Sequence, residues 1–190
     1  AYNRATDGPE DWLNDVLFLD YTLFNKGKSA LSDTYLGMWL DWDIGEFRDD
    51  YIGCDSTRDM WFGYNADNLD SYFSYGYGVS PPAMGATWLN QPLQHHMYWS
   101  NDFTVTGNPT LPEHYYNYLA SQWKDGLPLT EGGTGYGGTV PTNFAFPGNP
   151  VDASPTEWHE ANEGNTAGDR KALGSIGPFT MLPLESKCAQ

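Results

Sequence analysis

In VLFLDYTLFN, residues 16–25, Leu17, Leu19, Tyr21 and Leu23 fall on one side of an extended chain, and Asp20 and Thr22 on the other. A hydrophobic period of two marks a half-buried strand. The following NKGKSALSD supplies Asn, Gly and Ser for a turn or loop. TYLGMWLDWD, residues 34–43, then reads as a second strand, expected to be antiparallel to the first through a hairpin-like connection. MWFGYN, residues 60–65, reads as a third strand. MGATWL, DFTVTG and GPFTML read as shorter strands at residues 84–89, 102–107 and 177–182.

One helix stands out. LPEHYYNYLASQWKDG places Pro112 at a first helical position, Thr110 as a cap, Tyr115, Tyr118, Leu119 and Gln122 at helical spacing, and Gly126 at the C-terminal end. The helix is expected over about residues 112–124. Residues 1–15 read as irregular, and 72–85 and 127–150 as ordered, turn-rich loops. This pattern predicts an all-β protein, an antiparallel β-sandwich with long ordered loops and one short helix.

The chain has 190 residues, which predicts a single domain over 1–190, itself a fragment of a larger chain or a trimmed product beginning at Ala1. Twenty-five acids against nine Lys and Arg give a net charge of −16, so nucleic acid and anionic membranes are not expected partners, whereas cations are. No apolar run approaches the roughly 18 residues that span a bilayer. Acidic disordered chains lack aromatics, but this one carries 8 Trp, 13 Tyr and 9 Phe. Few Lys, many Trp, Tyr, Gly and Asn, and an acidic balance point to a secreted or cell-surface protein. In an oxidising compartment Cys54 and Cys188 can pair across most of the chain; two free thiols are the alternative.

DWDIGEFRDDYIGCD, residues 41–55, packs five aspartates and Glu46 against a single Arg48. Asp-x-Asp-x-Gly lets two carboxylates converge at a sharp turn. YNADNLD, residues 64–70, adds Asn65, Asp67, Asn68 and Asp70. Calcium takes about six to eight hard oxygens from such groups. Without a cation, crowded carboxylates repel or take up protons. The expected ligands are Asp41, Asp43, Asp49, Asp50, Asp55, Asn65 and Asp67, with calcium as the cofactor; a solvated acidic loop is the alternative. The stretch lacks the ligand order of an EF-hand.

Other patterns carry less. His95 and His96 are adjacent, so on a strand they point to opposite faces and cannot share a metal. HEANE, residues 159–163, lacks the second histidine of a zinc-protease helix. GTGYGG, residues 133–138, has dinucleotide-loop spacing without the flanking strand and helix, and reads as a tight aromatic-bearing loop. Trp61, Tyr72, Tyr75, Tyr77, Trp88, Trp99 and Tyr136 are candidates for stacking on sugar rings, against core packing as the plainer account.

The stretches VLFLDYTLFNKG, LSDTYLGMWLDWDIG and DDYIGCDSTRDMWFGYNADNLD resemble a conserved module of large secreted and surface proteins from Bacteroidota and allied phyla. Those proteins are often linked to type IX secretion sorting domains. GYGVSPPAMG, YYNYLASQWKDGLPLTEGGTGYGG, TNFAFPGNP, TEW and DRKALGSIGPFTMLP continue the resemblance in order over most of the chain. The connections after Asp11-Trp12 and around NQPLQHHMYWSND are shorter than the module's pattern. The resemblance implies secretion or surface display and no particular reaction. The reading that follows is a noncatalytic extracellular module with a calcium-stabilised acidic loop, acting in surface display, adhesion or assembly through self-association or other surface proteins. A polysaccharide-binding module and a secreted polysaccharide hydrolase are the alternatives.

Overall fold

The computed structural model describes residues 11–71, 76–152, 154 and 156–190. Among the described residues run ten strands and one α-helix, after a 3-10 turn at Asp11–Asp15. In chain order these are β1 (Tyr21–Phe24), β2 (Leu31–Asp41), β3 (Asp50–Asp55), β4 (Met60–Asn65), β5 (Leu69–Asp70), β6 (Gly78–Val79), β7 (Ala83–Thr87), β8 (His95–Ser100), α1 (Pro112–Leu119), β9 (Arg170–Met181) and β10 (Ser186–Ala189). Every ladder is antiparallel. One three-stranded sheet has the order β2-β9-β8 and another β3-β4-β7; β1 pairs with β10 and β5 with β6. The protein is all-β and sandwich-like, as its periodicity predicts.

The two larger sheets meet at a glycine. Trp61 of β4 is fully buried and lies on β9 at Gly174, where a Cβ would come within 2.4 Å of the indole. Only hydrogen at that position lets the backbone and the ring approach so closely. Gly174→Ala is expected to push the sheets apart and destabilise by about 1–3 kcal/mol, the usual range for overpacking, read from urea unfolding at constant m.

Around this contact the core is aromatic. Tyr98 packs on Phe146 at 5.0 Å between ring centroids, and Phe146 on Trp158 at 5.1 Å. Trp123, Leu129 and Phe146, all from the segment between α1 and β9, are fully buried, so the long loops supply core side chains. The GTGYGG segment is such a loop. Its Gly135 carbonyl accepts the Trp123 indole N–H at 2.9 Å, and Tyr136 stands edge-on to Trp123.

A buried ion pair ties a loop to both sheets. Arg170 of β9 donates from Nε and a terminal nitrogen to Glu160, with contacts of 2.8–3.2 Å, and from its other terminal nitrogen to Ser100 Oγ of β8 at 3.0 Å. Glu160 Oε1 also accepts the Ile52 N–H of β3 at 2.9 Å. Glu160 lies within the rejected zinc motif, and here it is a structural anion.

Several expectations are corrected. β1 and β2 do not form a hairpin, because Asn25 fastens their connection to the β9–β10 turn. Its side-chain amide donates to Met181 O at 3.0 Å, and its backbone exchanges hydrogen bonds with Leu184 and Glu185. β1 is only four residues long because β10 pairs with Tyr21–Phe24 alone; Leu17 and Phe18 stay exposed. The acidic stretch begins on the last residue of β2, is loop from Trp42 to Glu46 with a 3-10 turn at Phe47–Asp49, and then forms β3 at Asp50–Asp55, buried up to Cys54. DFTVTG is a turn closed by Asp102, whose carboxylate accepts from the Thr104 N–H and hydroxyl. The helix stops at Leu119 because Ser121 turns left-handed; Gly126 closes the next turn, and Leu111 rather than Thr110 holds the cap position.

Cys54 and Cys188 are not bonded to each other. Cys54 is buried on β3 with its Sγ 3.4 Å from Ala145 O, while Cys188 is on the small β1–β10 pair beside Thr22.

Candidate cation site

The expected ligands separate into three places. Asp55 closes the β3–β4 turn, accepting from Thr57 and pairing with Arg58. Asp41 and Asp43, just where β2 ends, meet Asp169, which sequence reading did not single out. One oxygen from each of these three lies within 4.8 Å of the others, with Lys171 3.3 Å from Asp41 and 3.0 Å from Asp169. Burial and the neighbouring Asp41 and Asp169 raise the pKa of Asp43.

Asp49, Asp50, Asn65 and Asp67 lie elsewhere, in a looser acidic nest that includes Asp70; no three of its acids bring an oxygen each within 4.8 Å of one another, a closeness that Asp41, Asp43 and Asp169 alone reach among the described residues. Asp50 and Asn65 face each other across the β3–β4 ladder, so both side chains leave the same face. Both residues are buried. Asp50 Oδ2 accepts the Ile44 N–H at 3.1 Å. Asn65 Nδ2 donates to Asp67 O at 3.0 Å, and Asp67 Oδ1 accepts the Leu69 N–H at 2.7 Å. The remaining oxygens, Asp50 Oδ1 and Asn65 Oδ1, are buried and have no hydrogen-bond donor among the described residues; Asp49 Oδ1 shares that condition. A buried acceptor without a partner costs about 1–3 kcal/mol, and more when charged.

Asp70 is the fully buried member. Its two oxygens accept the Glu46 N–H at 2.9 Å and the Tyr77 N–H at 2.7 Å. Gly45 makes room for it. With φ at +59°, Gly45 occupies the left-handed region, and a Cβ there would overlap Asp70 Oδ2 at 1.8 Å. The glycine of Asp-x-Asp-x-Gly thus both turns the chain and admits a carboxylate from 25 residues onward. Nothing local marks Asp70 for that role, since its partner is set by the fold.

The electrostatics show that the acids of the nest act on one another. Burial, reinforced by Asp49, Asp70 and Asp43, pushes the Asp50 carboxyl up to about 8. Burial and then Asp70 raise that of Asp49. Glu46 is engaged with Arg48 through its side chain. The donor set of the nest is oxygen alone: three carboxylates, one amide, and Asp67 at its rim. Hard oxygens suit calcium, and the absence of imidazole and thiolate from the set disfavours zinc and copper.

The other candidate residues are distributed as follows. Trp61, Trp88 and Trp99 are buried in the core and offer no face to a sugar, which corrects their candidacy. Tyr77 and Tyr136 are exposed but separate, one at the nest and one on the Trp123 loop. Tyr75 and Tyr72 lie outside the described residues. His95 and His96 are buried on opposite faces of β8. Each is hydrogen-bonded to a backbone carbonyl, and burial lowers the pKa of His96 to about 4. No helix among the described residues is long and apolar enough to cross a membrane.

Comparison with family models, curated proteins and solved structures finds no match to this chain.

Proposed function

We propose that the chain is a noncatalytic extracellular module whose acidic edge is organised by a bound calcium ion, serving surface display, adhesion or assembly. The observation that carries the reading is the trio of buried oxygens without donors, on Asp49, Asp50 and Asn65 beside the buried Asp70. A divalent cation would give these oxygens a partner by drawing the nest together, since its acids stand farther apart than the 4.8 Å reached by Asp41, Asp43 and Asp169. It would join the loop before β3, the end of β4 and strand β5. The likeness to secreted Bacteroidota modules supports the extracellular setting.

Equilibrium dialysis of chelator-treated protein against calcium tests the proposal. One ion per chain is expected, with magnesium competing weakly and Asp50→Asn lowering affinity at least tenfold. Asp41→Asn should leave this affinity nearly unchanged. A stoichiometry of zero, or loss of binding in Asp41→Asn but not in Asp50→Asn, would remove the nest as the site. Sugar release from a polysaccharide panel would remove the noncatalytic part.

A further inference from the structure

Outside the nest, the outer face of the β2-β9-β8 sheet holds an open cleft. Register places residues in rows across the sheet: Gly37, Ser175 and His95; Trp39, Leu173 and Met97; Asp41, Lys171 and Trp99. Helix α1 closes over the first row, with Leu119 lying where a Gly37 Cβ would be and the Ser175 hydroxyl donating to Leu119 O at 2.6 Å. The helix stops there, so the other two rows stay partly open. They form a cleft of about 460 Å3, walled on its far side by Asn108, Pro109, Tyr115 and Tyr118. That is within the range of small-ligand sites.

Two large rings in this cleft face solvent. Trp39 is 53% exposed and Tyr115 57% exposed. An indole so exposed in mid-strand leaves about half its surface without protein contact. Directly beyond Trp39 on the same face stand Asp41 and Lys171, with Asp169 bonded to Lys171, hydrogen-bonding groups of both signs at one end of an otherwise aromatic surface. Trp99 supports the wall from below, its indole N–H donating to Asn108 Oδ1 at 3.2 Å.

We propose that this cleft binds a glycan built of uncharged sugars. A pyranose has a C–H face that packs on an aromatic ring and an equatorial rim of hydroxyls that need paired donors and acceptors. Trp39 and Tyr115 supply the first; Lys171 and Asn108 on the lining, with Asp41 and Asp169 beside Lys171, supply the second. Charge selects among sugars. Asp41, Asp43 and Asp169 outnumber Lys171, and the whole chain carries −16, so uronic and sulfated sugars are repelled. The same charge opposes a second copy of this chain as the occupant. The cleft shares no residue with the cation nest, so it names a partner for the proposed surface module without depending on the ion.

The test is a glycan array followed by calorimetric titration with cellohexaose, xylohexaose, mannohexaose and oligogalacturonate, in calcium-containing buffer. At least one neutral hexasaccharide is expected to bind saturably, and oligogalacturonate at least tenfold more weakly. Trp39→Ala and, separately, Tyr115→Ala should each weaken binding at least tenfold while unfolding cooperatively; both rings are half-exposed, so neither substitution empties the core. Asp50→Asn should leave sugar binding intact, which keeps failure of the cation reading distinct from failure of this one. Absence of saturable binding across the array, preference for the acidic oligosaccharide, or indifference to both ring deletions would each overturn the proposal.

Discussion

Arg170→Met is expected to destabilise the protein by about 3–5 kcal/mol, the range found when one member of a buried pair is removed. Glu160 would then be a fully buried anion without its guanidinium, and Ser100 would lose a donor. For a chain of this size the loss corresponds to a fall in Tm of about 6–20 °C. The double variant Glu160→Met, Arg170→Met should recover part of the loss, because it removes the stranded charge. Recovery should stay incomplete, since the Ile52 N–H also depends on Glu160. Urea unfolding at pH 7 of the two single variants and the double gives the coupling directly. Equal stability of Arg170→Met and the parent would show that the pair does not join the sheets.

Saturating calcium is expected to raise the Tm by about 5–11 °C. A ligand at about 100 times its Kd stabilises by about 2.7 kcal/mol, and each kcal/mol moves the midpoint of a domain this size by about 2–4 °C. The pH dependence should change as well. In the metal-free chain the Asp50 carboxyl sits at about 8, well above its ordinary value of 3.8, because of burial and the nearby Asp49 and Asp70. The folded form therefore holds a proton that the unfolded form releases, and stability falls as pH rises from about 4 to about 8. Calcium competes for the same oxygens and favours the ionised form, so with the ion bound this decline should vanish or reverse. Thermal scans at pH 5 and pH 8, with calcium and with chelator, read the effect. Asp50→Asn should flatten the metal-free decline and cut the calcium shift by about half or more. A calcium-independent midpoint at both pH values would discard the site.

The chemistry of the nest was legible in the sequence to a limited extent. Asp49, Asp50, Asn65 and Asp67 are neighbours in the chain and remain neighbours in the fold, because β3 and β4 form a tight hairpin that brings Asp50 opposite Asn65. Asp41 and Asp43 leave that group because β2 belongs to the other sheet, where Lys171 of β9 meets Asp41. Asp70 and Asp169 join their groups through packing and pairing, which no spacing rule encodes. The aromatic candidates divided for a similar reason: a tryptophan reads alike whether its strand face meets the opposing sheet, as Trp61 does, or an open cleft, as Trp39 does.

By itself the sequence determined those features whose causes lie within a few residues. These are the all-β class, β4 at Met60–Asn65, a helix beginning at Pro112, and an acidic turn at Gly45. Periodicity, fixed proline φ and glycine freedom act locally, so they can be read locally. β8 escaped that reading because it is buried on both faces and shows no alternation. The tertiary structure alone decided the pairing of Tyr21 with Ala189, the central place of β9, the crossing of Trp61 on Gly174, and which rings and carboxylates reach solvent or one another. Those outcomes come from contacts between segments far apart in the chain, where the best burial available to the whole molecule outweighs the preference of any one stretch.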